Sequence, residues 1–215
     1  MSPVVLSTNV AVAQPDPGGA DRVSGIDKRP QPFLDVDFIG PSYGDGSGVV
    51  GDIVGDSKHH GGAQKAVYAF AREELDFWEK ELGRSFANGS FGENLTTSGI
   101  DLARTLINQQ VNVGSAVLEI SIVRQPCRTF AGWIEEPGWV KTFSRHGRCG
   151  AYLRVVEPGR ISAGDEIELV GTPDHDIDVL TAFRAAQGDK DAARRVVAAA
   201  CLPPMYHDRM VRLIS

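Results

Sequence analysis

Ser121-Ile122-Val123-Arg124-Gln125-Pro126-Cys127-Arg128 is the stretch on which the fold reading turns. Upstream of it Leu118, Ile120 and Ile122 alternate with Glu119 and Ser121, the period of a half-buried strand. Pro126 lacks the N–H that a ladder needs and restricts Gln125, so the strand stops there and turns. A thiol, Cys127, is left at a strand end with Arg124 and Arg128 on either side. Nearby guanidinium groups favour thiolate, the form that attacks electrophiles and binds metals. A free cysteine is also a common core residue, and both readings stand at this point.

Further strands surround this one. The opening, with Ala11-Val12-Ala13, imitates a signal-peptide cleavage site but lacks a positive leading region, so it reads as a first strand. Phe33 to Ile39, Ala66 to Phe70, Ala151 to Val156 and Ile161 to Val170 follow the strand pattern, the last around an Ala163-Gly164-Asp165 turn. Arg72 to Leu82 places Leu75, Trp78 and Leu82 on one helical face and ends at Gly83. Trp133 to Phe143 reads as a short helix broken by Pro137-Gly138. After Thr172 no strand pattern remains and three short helices follow, giving a β domain over 1–172 and a helical segment over 173–215.

Composition narrows the function. The 215 residues carry 28 acidic and 22 basic side chains, a net charge of −6, which disfavours nucleic acid as a partner. No apolar run is long enough to span a bilayer, and three cysteines without paired spacing argue against a disulfide framework. A cytoplasmic protein is expected.

Two loops stand out. In His59-His60-Gly61-Gly62-Ala63-Gln64-Lys65 the glycines let backbone N–H groups approach an anion and Lys65 can supply charge. A tight turn into a buried strand explains the same residues. Adjacent histidines on an extended chain point to opposite faces, which argues against zinc. Phe91-Gly92-Glu93-Asn94-Leu95 could hydrogen-bond a heterocycle or satisfy a turn.

Taken together, His60-Gly61-Gly62-x-x-Lys65-Ala66-Val67-Tyr68, Phe91-Gly92-Glu93-Asn94-Leu95, Arg124-x-Pro126-Cys127, and the Gly147-x-x-Gly150-x-Tyr152 to Gly164-Asp165 ending resemble the MOSC domain family. Val123 stands where many members carry proline. The tail from His175 is similar to that of the stand-alone bacterial subgroup whose members confer resistance to hydroxylated purine bases. The resemblance implies a mainly β barrel with helical excursions, and a molybdenum cofactor with Cys127 as the protein ligand to molybdenum. Lys28, Lys65, Arg124 and Arg128 would then hold the anionic cofactor with Gly61 and Gly62, Glu93 and Asn94 would read its pterin edge, and His60 would be a contact or proton donor.

Three functions follow as expectations. The first is reduction of N-hydroxylated small molecules, with His60, Asp52 or Asp56 supplying protons. The sequence has neither a Rossmann fingerprint nor enough cysteines for a four-thiolate cluster, so electrons would come from a separate reductase. The second is a carrier of cofactor or sulfur. The third is a metal-free enzyme with Cys127 as nucleophile and His60 as base. No lysine context argues for pyridoxal phosphate, and oligomeric state, a homodimer included, stays open.

Overall fold

A computed structural model describes residues 2–215 of the chain. Strand β1 (Val4–Ala11) is followed by two short hairpin arms, β2 (Gln14–Pro15) and β3 (Val23–Ser24), and then by β4 (Lys28–Gln31) and β5 (Phe33–Val36). A long glycine-rich loop leads through a single 3-10 turn (Ala63–Lys65) to β6 (Val67–Ala71), helix α1 (Arg72–Leu82) and β7 (Leu95–Ser98). Next come β8 (Gln110–Val113), β9 (Ala116–Ile122), α2 (Arg128–Ile134), α3 (Trp139–His146), β10 (Ala151–Glu157), β11 (Gly159–Ser162) and β12 (Ile167–Val170). Helices α4 (Val179–Ala186), α5 (Lys190–Ala199) and α6 (Pro204–Ile214) end the chain.

Eight strands form one sheet in the order β12-β8-β9-β10-β6-β7-β1-β4, while β11 pairs with β5 in a separate ribbon. All pairs in the large sheet are antiparallel except β6 with β7, which α1 joins as a crossover. The sheet curls until β1 meets the turn into β12. Val5 N–H donates to Asp165 O at 2.9 Å, Gly164 N–H to Val5 O at 2.8 Å, and Ile167 N–H to Pro3 O at 2.8 Å. The fold is therefore a barrel-like, mainly β architecture with helical excursions, as expected.

One continuous apolar core holds it. Val111, Val113, Leu118, Ile120 and Leu153 fill the sheet's inner face, the alternation read around Cys127. Under the helices, Phe91 and Phe130 meet edge to face at 5.2 Å, and Phe130 and Phe143 do the same at 5.2 Å. The break expected at Pro137-Gly138 is present and separates α2 from α3, but the first helix already begins at Arg128. Glu135 in the left-handed region (φ 55°) and Gly138 (φ 72°) separate them. The first starts at once after Cys127, with no side-chain cap to announce it.

The C-terminal helices dock on the barrel. Ile107 N–H donates to Ile177 O at 3.0 Å, Val179 N–H to Thr105 O at 2.9 Å, and Asn108 Nδ2 to Cys201 O at 3.0 Å. Gln125 Nε2, two residues before the cysteine, donates to Ala186 O at 2.9 Å. The corner after β9 is thus pinned to the end of α4.

Candidate active site

After β9 the chain runs extended through Val123 to Pro126. Cys127 occupies the position before α2 with φ −126° and ψ 174°, and its side chain makes no capping bond. The thiol is half-buried and lines a cleft at the barrel mouth. Lys28, Asp52, His60, Gly61, Lys65 and Arg124 line the same cleft. Of the residues expected at the site, Gly62, Glu93 and Arg128 are not among the cleft walls.

The far end of the cleft is closed by paired charge. Lys28 Nζ lies 2.5 and 2.7 Å from the two Asp52 carboxylate oxygens, with side-chain exposures of 7% and 3%. Asp52 also accepts from Ala11 N at 2.8 Å, Asn94 Nδ2 at 2.9 Å and Ser47 Oγ at 3.2 Å. Burial pushes the Asp52 carboxyl up, but Lys28, Asn94 and the Ala11 amide outweigh it and hold it below the usual carboxylate range. Asn94 is saturated as well, its Oδ1 accepting from Tyr68 N at 3.1 Å. Lys28, Asp52 and Asn94 therefore tie β4, the glycine-rich loop and β7 to one another.

Beside the cysteine, charge is left open. Arg124 is 5% exposed, its guanidinium 3.9 Å from the Phe130 ring centre and 5.1 Å from that of Tyr68, and its Nη1 has no hydrogen-bond partner among the described residues. Lys65 Nζ donates to His59 O at 2.6 Å and lies 4.8 Å from the Tyr43 ring centre and 5.5 Å from that of Tyr152. Neither cation has a carboxylate partner among the described residues. Burial, with Arg209 and Arg124 adding to it, brings Lys65 down to about 8 against the pull of Cys127 and Asp56.

Several expected roles change. Burial first, then Lys65 and Arg124, press His60 down to about 3, so its imidazole is neutral at pH 7 and has no acidic proton beyond its N–H. Its Nδ1 is 3.4 Å from Tyr152 Oη. Asp56 is no proton source either. Burial raises it, but His59 and Arg22 outweigh that and keep it ionised. Glu93 is fully buried and turned to its own loop, accepting from Gly89 N at 2.6 Å, Phe91 N at 2.9 Å and Thr96 Oγ1 at 2.9 Å. Arg128 is exposed.

Close packing requires both of the paired glycines. At Gly62 (φ 77°) a Cβ would come within 2.3 Å of Ser42 O, and at Gly61 (φ 84°) within 2.8 Å of Gly46 O. The Gly62 N–H is taken by Gly46 O at 2.9 Å. The turn presses the glycine-rich loop close and sets His60 and Lys65 against the cleft.

Sequence reasoning missed the opposite rim. Arg22 Nε is 2.6 Å from Asp16 Oδ2 and its Nη1 is 2.8 Å from Asp56 Oδ2, linking two loops across the mouth. It also missed Tyr206 and Arg209, which share a second hollow with Cys127. Nothing local in the sequence signals them; the docking of α6 brings them beside Cys127.

The barrel mouth sets Arg124 and Lys65, neither ion-paired among the described residues, in one cleft wall with a thiol, a combination of positive charge and soft donor that would suit an anionic ligand. The chain belongs to the MOSC domain family, whose model matches residues 56–168. It is 33% identical over 202 residues to the uncharacterized protein YflK of Bacillus subtilis, covering 92% of this chain and 88% of that one. A protein named Reductase from Gibberella moniliformis is 32% identical over 138 residues, which cover 62% of this chain but 24% of that protein. The crystal structure of YiiM from Geobacillus stearothermophilus has the same fold, with a TM-score of 0.78 at 23% identity over 99% of this chain and 100% of that one.

Proposed function

We propose that the chain binds a molybdenum cofactor with Cys127 as its ligand and reduces N-hydroxylated compounds in the cytosol, hydroxylaminopurine-like bases being the leading substrates. Arg124 carries the reading: a buried guanidinium whose Nη1 lacks a partner, in the cleft wall with the cysteine, calls for an anion. Thiolate is a soft ligand suited to such a metal, and Lys65 adds charge that the protein leaves uncompensated. When bound, the cofactor supplies the two-electron chemistry of N–O cleavage.

The chain's own residues do the rest. Arg124 and Lys65 hold negative charge beside Cys127, while Lys28 and Asp52 keep the other end of the cleft rigid. Reduction of N–OH to N–H consumes two electrons and two protons and releases water. Lys65, at about 8, carries a proton at neutral pH and can give one to the departing oxygen. Tyr152 Oη and neutral His60 can orient the substrate by hydrogen bonds.

Electrons are assigned to a separate reductase. The match to the relative named Reductase covers only 24% of that protein, so most of its length has no counterpart here. The test is cofactor-loaded protein incubated with 6-hydroxylaminopurine, with adenine followed by chromatography. A reduced dye should support turnover and NAD(P)H alone should not. No adenine with the dye, despite full cofactor loading, would leave a cofactor carrier as the function.

A further inference from the structure

Cys127, His60, Lys65 and Tyr152 face two hollows. Besides the cleft at the barrel mouth, a second hollow opens between the barrel and α6. Its further walls include Tyr43, Gln125, Tyr206, Arg209, Met210 and Leu213. The Tyr43 and Tyr206 hydroxyls meet at 2.6 Å and tie the glycine-rich loop to α6, so the helical segment forms one side of the chamber.

The charge of this chamber is one-sided. No Asp or Glu lines it, although the chain has 28. Arg209 forms no ion pair among the described residues and leans on the Tyr206 ring at 5.3 Å. Lys65 lines the same chamber and likewise has no carboxylate partner among the described residues. Two cations that repel each other across an aromatic and aliphatic pocket are relieved by an anion with an apolar body. A guanidinium matches a phosphate with two parallel hydrogen bonds.

We infer that the hollow beside α6 is the substrate chamber and selects N-hydroxylated aromatic substrates that carry a phosphate, such as nucleotides, with Arg209 as the specificity-determining residue. This rests on the reading of an N-hydroxylated base as substrate. It goes further by assigning a nucleotide over the free base or nucleoside. The base enters toward Cys127, and the phosphate stays at the rim with Arg209.

The test is calorimetric titration of the cofactor-loaded full chain with 6-hydroxylaminopurine riboside and with its 5′-monophosphate. The monophosphate should bind at least about tenfold more tightly, a preference that salt weakens. Arg209 is exposed, so substitution leaves packing intact. Arg209→Gln should reduce the preference to about threefold or less, and Arg209→Lys should restore part of it, with pterin content unchanged in both. Equal affinity for the two ligands in wild type, or the full preference persisting in Arg209→Gln, overturns the inference. Loss of pterin in Arg209→Gln does so too, because the arginine would then hold the cofactor's phosphate. Preferential binding without reduction of either ligand by a reduced dye keeps the chamber and removes the reductive reading.

Discussion

Lys28 and Arg124 are both buried cations in the wall of one cleft, yet they are built for different ends. Lys28 is matched by Asp52 at 2.5 Å, and that carboxylate is matched in turn by a backbone amide, an asparagine and a serine. Arg124 has aromatic rings on its faces and no partner for Nη1. A satisfied charge network holds elements together, whereas an unsatisfied charge waits for a ligand. The difference separates a pair that serves as scaffold from a cation that stays open to a ligand.

Stability measurements break this comparison most directly. Lys28→Met leaves a buried carboxylate unpaired and should cost about 3–5 kcal/mol in denaturant unfolding. Arg124→Met removes a charge that had no partner, and its stability change should stay within about 1 kcal/mol while cofactor retention falls sharply. Equal losses in the two variants would show that both are scaffold.

The next effect sharpens the account of His60. Its native pKa of about 3 lies below the ordinary 6.5, so the unfolded chain takes up a proton that the native state refuses. Stability from this group is complete above pH 6.5 and falls as pH drops toward 3. Going from pH 7.5 to 5 should therefore cost wild type about 2 kcal/mol more than His60→Gln. An identical pH dependence in the two proteins would place His60 in water, ordinary in its titration.

What the sequence revealed follows the range of the forces involved. The Arg72–Leu82 helix and its stop at Gly83 (φ 64°) were legible because periodicity and a left-handed cap are local. So were the alternating strand before Cys127 and the three terminal helices. The start of α2 was not, because Cys127 is no capping residue and offers no signal. Strand β7 also went unread: Thr96 and Thr97 are buried by neighbours on both sides, an effect of pairing with β1 and β6.

The site divides in the same way. Cys127, Lys65 and Arg124 could be named from their motifs. That Glu93 braces its own loop, or that Asp52 belongs to Lys28, depends on where side chains point and on partners far along the chain. Arg209 could not be placed at all without the docking of α6 beside Cys127. Motif spacing identifies residue types, and only the fold says which charges remain unpaired.

The central claim is that the unpaired cations beside Cys127 exist to bind a metal cofactor through that thiol. Elemental analysis of molybdenum tests it, comparing wild type with Cys127→Ala when both are expressed with cofactor synthesis intact. Near-stoichiometric molybdenum in wild type and a loss of most of it in Cys127→Ala is the predicted result. Equal molybdenum in the two proteins, or none in wild type despite a functional cofactor supply, would contradict it.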